Sequence, residues 1–293
     1  MTTNLTNNLT GSEVAMKIRA EVIAAAGELT EAGMTPHLAV VLATADESTA
    51  WYVRSIARAA ERCGVRCSIV DLGPHANSVG IRAELDALST DPAVHGIILQ
   101  TPLPAGADFD TLASAIDPAK DIDGANPRSL GLLAAQLPAF APATAEAVMV
   151  LLDHYAVPLS GADAVVIGRS TVVGKPVALL LIHRDATVTV CHRHTKELAA
   201  HTRRADVLVV AAGQPGLITG DHVAPHTVVI DVGTNATADG GLVGDVEAET
   251  VAGQVAGLTP VPGGVGPVTT ALLLQHTIAS ATAQSKRNWE STD

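Results

Sequence analysis

Two kinds of pattern in this sequence are suited to chemistry. The first is AVVIGRSTVVGKP, residues 164–176: an apolar run, Gly168, five residues, Gly174, then Lys-Pro opening an apolar segment. A strand that turns through glycine into a helix brings backbone N–H groups against a bulky anion, as dinucleotide pyrophosphates require. The Gly168 to Gly174 spacing is not the common GxGxxG, so context must strengthen the reading. Just downstream, ATVTVC (186–191) alternates as a second strand and ends in His192, Arg193 and His194. An acidic residue there would accept from the ribose hydroxyls of NAD, whereas basic side chains suit an added 2′-phosphate. The pattern therefore predicts NADP, with Arg169, Ser170 and Arg193 as phosphate contacts. Each alone is also an ordinary surface arginine or capping serine.

The second pattern is a set of residues that look wrong for plain structure. Tyr52 in STAWYVRSI stands on a helix, where packing is the commoner role. Gln100 ends the apolar run GIILQ before a Pro-rich loop, and a buried amide there either pairs with the loop or reads a ligand. Lys120-Asp121-Ile122-Asp123-Gly124 is an exposed turn or a pair of working carboxylates. Pro260 to Thr269, PVPGGVGPVT, is a stiff loop whose glycines admit close approach of a ligand and whose X-Pro bonds are candidates for cis.

The elements that must position these residues alternate. Val14, Ile18, Val22, Ala25 and Leu29 recur at helical spacing, which predicts a helix over 12–32 ended by Gly33. Strand 38–43, helix 48–62, strand 65–70, helix 78–89, strand 94–100 and helix 110–116 follow. Residues 117–143 are rich in Pro, Gly, Asp and Asn, and Thr144 is the expected cap of a helix to Tyr155. A second set begins at Ala164 and includes strands 207–213 and 228–233, a hairpin near Asp239 to Asp245 and a last helix over 268–283. Such alternation predicts parallel sheets with functional loops at the strand C-termini. The expected fold is two α/β domains with a cleft between them.

Composition narrows the class. The chain has 293 residues, 47% of them hydrophobic, enough for a sizeable core. A net charge of -12 with 2% aromatic residues argues against nucleic-acid or anionic-membrane surfaces. The longest apolar runs are far short of a membrane span, and the polar start MTTNLTNNLTGSEV lacks a secretory pattern. Cys63, Cys67 and Cys191 form no CxxC module, and no carboxylate or cysteine cluster completes a metal site around His192 and His194. A cytoplasmic protein with a small-molecule partner and no metal is expected.

GIILQTPLPAG, KDIDG, VVIGRSTVVGKP, IDVGTN, GDV and TPVPGGVGPVT occur in that order over nearly the full length. In this the chain resembles the bifunctional methylenetetrahydrofolate dehydrogenase/methenyltetrahydrofolate cyclohydrolases. The resemblance implies an N-terminal catalytic domain (1–145), completed by a C-terminal helix (268–293), a Rossmann domain binding NADP (146–267), and a homodimer. It implies that Tyr52 packs against the aminobenzoyl group of folate, that Gln100 lies beside the reacting carbon and that Asp123 binds the pteridine edge. Pro262, Gly263 and Gly264 would line folate and nicotinamide. Gly168, Arg169, Ser170, Gly174, Arg193, Gly213 and Thr234 fall where this family meets the cofactor.

The pattern breaks at one position. The family motif Tyr-x-x-x-Lys is here Tyr52-Val53-Arg54-Ser55-Ile56, and Arg54 and Arg58 each lie two residues from Ile56 and point elsewhere on a helix. Hydride removal from 5,10-methylenetetrahydrofolate needs no protein base, whereas hydrolysis of the methenyl product gains about 10²- to 10⁴-fold from acid-base help. The expectation is an NADP-dependent dehydrogenase whose cyclohydrolase step, to 10-formyltetrahydrofolate, is weak or lost. The alternatives are a fully bifunctional enzyme, a paralogue acting on another iminium-like substrate, and a non-catalytic NADP-binding protein. Smaller departures, Pro142-Ala143-Thr144-Ala145, Ser129 and Ala125-Asn126, are read as redirected selectivity or neutral variation.

Overall fold

A computed structural model describes residues 8–237 and 240–290. The chain divides into two compact units, one of residues 16–143 with 270–293 and one of residues 1–15 with 144–269. In the first unit the order is α1 (Ser12–Glu31), β1 (His37–Leu42), α2 (Glu47–Arg62), β2 (Arg66–Asp71), α3 (Ser78–Thr90), β3 (Gly96–Leu99), α4 (Phe109–Ala113) and α5 (Pro127–Ala134). The three strands are parallel in the order β2-β1-β3. The near-continuous apolar runs of β1 and β3 are buried throughout, as a two-faced parallel sheet requires, while β2 is an exposed edge. Ala39, Val41, Ile97 and Leu99 pack with Ile81, Leu85, Leu112 and Ile116.

The second unit runs α6 (Ala143–His154), β4 (Asp163–Ile167), α7 (Gly174–Ile182), β5 (Thr187–Cys191), α8 (Leu198–Thr202), β6 (Val207–Val210), β7 (Val228–Asp231), the short antiparallel pair β8 (Asn235–Ala236) and β9 (Leu242–Val243), α9 (Ala248–Val251) and β10 (Gly257–Leu258). Its sheet is parallel in the order β10-β7-β6-β4-β5. The chain leaves β4 for β5 on one side and crosses back to β6 on the other. Ligands of open α/β sheets bind at the strand C-termini beside such a reversal. The last helix, α10 (Val265–Glu290), belongs to the first unit from residue 270 on.

Several elements differ from the sequence reading. The described residues before α1 group with the second unit, because Leu9 N–H bonds the Leu258 carbonyl (2.9 Å), Gly11 N–H bonds the Gly263 carbonyl (2.9 Å) and Tyr155 donates to the Thr10 carbonyl (2.9 Å). A helix, α5, interrupts the stretch read as irregular. Its Asn126 accepts from Arg128 N–H (2.8 Å), and Pro127 opens its first turn, where a missing N–H costs nothing. Thr144 lies inside α6, which starts one residue earlier. The small elements α8, α9 and β10 carry too little pattern to be seen in advance. Asp239, the start of the expected hairpin, lies outside the described residues.

The turn that closes the KDIDG loop before α5 depends on a close approach. Gly124 has φ 61°, and a Cβ there would overlap Pro142 N and the Ala141 carbonyl carbon. Gly124→Ala is expected to destabilise the protein by about 2–4 kcal/mol, from left-handed backbone strain plus overpacking. A lowered urea-unfolding midpoint checks this, and an unchanged midpoint refutes the close packing of this turn.

Candidate active site

In the first unit the site is built where β3 ends. Asp46 opens α2 by accepting from Thr49 N–H (2.8 Å), Thr49 Oγ1 (2.6 Å) and Ser48 Oγ (2.6 Å). These hydrogen bonds hold its carboxyl down at about 2. The helix buries Thr49, Val53, Ile56, Ala59 and Ala60 and leaves Arg54 and Arg58 exposed. Tyr52 is half-buried beside this face, with its phenol hydrogen-bonded to Thr270. Burial first, then the nearby charge of Asp123, pushes the phenol up to about 12, so it remains an O–H group throughout the neutral range. Ile56, one turn on, is fully buried.

Gln100 follows β3, its backbone N–H bonding the Val41 carbonyl (2.8 Å). Its Nε2 donates to the Thr101 carbonyl (3.1 Å), and Thr49 Oγ1 of α2, whose proton goes to Asp46, lies 3.4 Å from the same carbonyl. The amide thus pairs with its own loop and retains its oxygen as an acceptor. Thr101–Pro102 is cis, as is Val261–Pro262 in the loop where cis bonds were expected.

The two carboxylates of KDIDG divide the work. Asp121 is fully buried and accepts from Ala125 N–H (2.9 Å), Asn126 N–H (2.9 Å) and Ser129 Oγ (2.7 Å). It fastens the loop to the start of α5, and Ser129 and Asn126, read from sequence as drift, are parts of that fastening. Lys120 is buried and turned aside, donating to the Asp91 carbonyl (2.6 Å). Asp123 accepts from the Ala143 N–H at the first residue of α6, where a helix favours negative charge. Burial, then the charge of Asp121, raises its carboxyl to about 7, against the opposing pull of His276 and the Ala143 N–H. Tyr52, Asp123, Thr270 and His276 therefore form one cluster. Sequence reading missed the last two, which sit on α10 far along the chain and belong to no glycine or charge motif.

The second unit holds the glycine loop of residues 168–174. Gly168 has φ 115°, and a Cβ there would overlap the Ala211 carbonyl; one at Gly174 would overlap the Gly168 carbonyl and Arg169 N. The C-termini of β4 and β6 are thereby held close, beside the sheet's reversal of order. Ser170 Oγ accepts from Val173 N–H (3.1 Å) and more weakly from Gly174 N–H (3.4 Å), capping α7 while its own proton stays able to donate. Arg169 and Arg193 are exposed, and Arg193 Nε lies 3.2 Å from His194 Nε2. No acidic side chain follows β5 until Glu197. Gly213 has its N–H bonded to Asp245 (2.9 Å), so it offers a ligand space rather than a donor, and Thr234 is exposed after β7. Gly263 has φ 111°, Pro262 is exposed, and Gly264 is buried with its N–H on the Pro260 carbonyl (2.8 Å).

A buried pair of carboxylates, also unforeseen, ties these loops together. Asp231 accepts from Gly233, Asp245 and Val246 N–H groups at 2.9–3.0 Å, and Asp245 accepts from Ala212 (2.6 Å), Gly213 (2.9 Å) and Asn235 Nδ2 (2.9 Å). Burial raises Asp231 to about 6. Gly233 and Gly244 are required because a Cβ at either would strike the opposite carboxylate.

A parallel sheet with a glycine-closed loop at its reversal, joined to a second α/β unit bearing a phenol, an amide and a carboxylate, defines a nucleotide-dependent enzyme. Residues 142–285 match the NAD(P)-binding domain of tetrahydrofolate dehydrogenase/cyclohydrolase, and residues 9–123 match its catalytic domain. The chain belongs to the tetrahydrofolate dehydrogenase/cyclohydrolase family. A protein of Saccharopolyspora erythraea named bifunctional protein FolD 1 is 71% identical over 95% of both chains. One of Rhodococcus jostii with the same name is 64% identical over 96% of this chain and 94% of its own. The bifunctional FolD structure from Campylobacter jejuni has a TM-score of 0.91 at 40% identity, covering 94% of this chain and 98% of that one. The Trypanosoma brucei FolD, solved with NADP cofactor and inhibitor, has a TM-score of 0.89 at 38% identity, covering 94% and 96%. Among the described residues no helix is long and apolar enough to cross a membrane.

Gly174→Ala is expected to weaken NADPH binding by about tenfold or more, since overpacking costs about 1–3 kcal/mol where the helix meets its loop. Fluorescence titration of NADPH checks this; unaltered affinity contradicts the role of the close approach.

Proposed function

We propose that this protein oxidises 5,10-methylenetetrahydrofolate to the methenyl compound with NADP and hydrolyses that product to 10-formyltetrahydrofolate. The observation that carries the reading is the cluster of Tyr52 with Asp123, in a unit that also holds the Gln100 loop and matches the family's catalytic domain. Asp123 and Tyr52 would hold the pteridine and aminobenzoyl parts, and Gln100 would orient the reacting carbon or an attacking water. Pro262, Gly263 and Gly264 would border folate and nicotinamide, the domains being 1–145 with 268–293 and 146–267. Gly168, Gly174, Gly213 and Thr234 would form the cofactor's bed, with Arg169, Ser170 and Arg193 on its phosphates. NADP supplies the acceptor for the hydride. The remaining cation is stabilised by its two flanking nitrogens, so this step asks the protein for positioning rather than a base.

The names of the relatives, bifunctional at 71% and 64% identity, support two activities better than the expectation that hydrolysis is weak or lost. Ile56 favours the opposite reading, since it is fully buried and both neighbouring arginines face solvent. One assay separates them: methylenetetrahydrofolate with NADP, followed at separate wavelengths for NADPH and for the methenyl compound. Formyl product keeping pace with NADPH, above the buffer's own hydrolysis, is expected; stoichiometric build-up of methenyl product would leave the dehydrogenase alone. Ile56→Lys should raise the hydrolytic rate about tenfold or more and change NADP reduction far less.

The same reading includes a cytoplasmic homodimer, which sedimentation would reveal as twice the chain mass. NADP is preferred to NAD because the end of β5 carries Arg193 and no carboxylate. Arg193→Ala should raise the KM for NADP about tenfold, the worth of one charge-assisted hydrogen bond, and leave that for NAD almost unaltered. Equal effects on both would contradict the 2′-phosphate assignment.

A further inference from the structure

Two buried histidines at the far end of the first unit's sheet take no part in the site described above. His37 opens β1 and His95 directly precedes β3, so both lie at the N-terminal ends of parallel strands, whereas Gln100 lies beyond the C-terminal end of β3. His37 is 6% exposed and His95 3%. The two residues are cross-bonded. His37 N–H donates to Nδ1 of His95 (3.1 Å), and His95 N–H donates to the His37 carbonyl (2.9 Å). The His37 ring extends the network, with Nδ1 3.1 Å from the Ala93 carbonyl oxygen and Nε2 2.7 Å from Ser68 Oγ on β2. Side chains thus join β1 to both of its neighbours at this end.

These partners fix where each ring carries its hydrogen. A carbonyl only accepts, so His37 holds a hydrogen on Nδ1, and its Nε2 accepts from the Ser68 hydroxyl. A backbone N–H only donates, so His95 Nδ1 presents its lone pair and the hydrogen of that ring is on Nε2. The two rings respond differently to a further proton. At His37 the Ser68 hydroxyl rotates and becomes the acceptor, so the contact survives. At His95 nothing can rotate. A hydrogen on Nδ1 would face the N–H of His37, which the backbone holds in place, and an attraction between β1 and the start of β3 becomes a repulsion.

The charges around the pair oppose that proton on balance. Arg66 of β2 acts against a positive charge on His37. His37 itself and Lys120, which donates to the Asp91 carbonyl (2.6 Å), act against one on His95. The carboxylate of Asp91, in the turn before β3, favours protonation of both rings but is outweighed. Burial is the largest cause, and it holds both histidines below their ordinary value. We propose that His95 is an acid-sensitive latch: one proton taken up at Nδ1 breaks its bond to His37 and lets the sheet of the first unit open at its N-terminal end. The latch shares no residue with the proposed folate and NADP site, so it stands apart from that reading.

The sign follows from linkage. An unfolded histidine binds its proton at about pH 6.5 and the folded ring resists it, so the stabilisation is complete above that pH and is lost progressively below it. His95→Asn separates the latch from general acid effects, because Oδ1 of asparagine stands where Nδ1 stood, accepts from the same N–H and does not titrate. Amide hydrogen exchange of the full chain is read by mass spectrometry between pH 8 and pH 5, corrected for the intrinsic rate, on peptides covering β1, β3 and, for reference, β4 and β6. Opening of β1 and β3 should increase about three- to thirtyfold more in the parent than in the variant, thirtyfold being the limit for a histidine that stays neutral while folded. The reference strands should respond alike in both proteins. Equal pH dependence of β1 and β3 in parent and variant would overturn the proposal, as would a difference that appears equally in β4 and β6. Should the variant not fold, nitrogen-15 NMR of the parent's histidine rings decides. A ring that stays neutral with its hydrogen on Nε2 well below pH 6.5 supports the latch, and titration of all 11 histidines near the ordinary value overturns it.

Discussion

Buried carboxylates that accept backbone N–H groups hold the loops of both units. At the end of β3, Asp121 gathers the N–H groups of Ala125 and Asn126 with the Ser129 hydroxyl, and Asp123 takes that of Ala143. At the ends of β6 and β7, Asp231 and Asp245 do the same for residues 212–246. Parallel strands deliver their loops to one edge of a sheet but do not fix them there. A desolvated carboxylate is stable only if its oxygens are met by donors, so each such aspartate allows its surrounding loop few arrangements. The glycines at 124, 233 and 244 follow from this, since each lets backbone or carboxylate approach where a side chain would intrude.

Within that scheme the two carboxylates of the KDIDG loop differ. Asp121 accepts from three donors, whereas Asp123 accepts from the Ala143 N–H. It is also the group whose charge is least secure, lying between Asp121 and His276 with its carboxyl near 7.

Much of this was legible in the sequence because it is written in local pattern. The apolar runs of β1, β3, β4, β6 and β7 mark strands buried in the sheets, and the glycines of 168–174 mark a closely packed turn into a helix. Gln100 stood out as an amide at the end of such a run, Tyr52 as a tyrosine on a helix and Asp123 as one of two carboxylates beside a lysine. What could not be read depends on chain segments far apart. Thr270 and His276 look like ordinary positions of an amphipathic helix until α10 is laid beside the KDIDG loop. Leu9 declares nothing of its place against β10. The helix α5 was hidden by its composition, since its cap and first-turn proline are also the residues of a loop. Ser129 and Asn126, readable from sequence only as redirected selectivity or neutral variation, are donors and caps around Asp121.

The central claim is that burial, Asp121 and His276 together leave Asp123 poised to titrate near neutrality. Carbon-13 NMR of protein labelled at aspartate carboxyl carbons measures this directly, with the Asp123 resonance assigned by its loss in Asp123→Asn. The account predicts one resonance, assigned in this way, with a midpoint at about 7. A midpoint at the ordinary aspartate value of about 4 would contradict it.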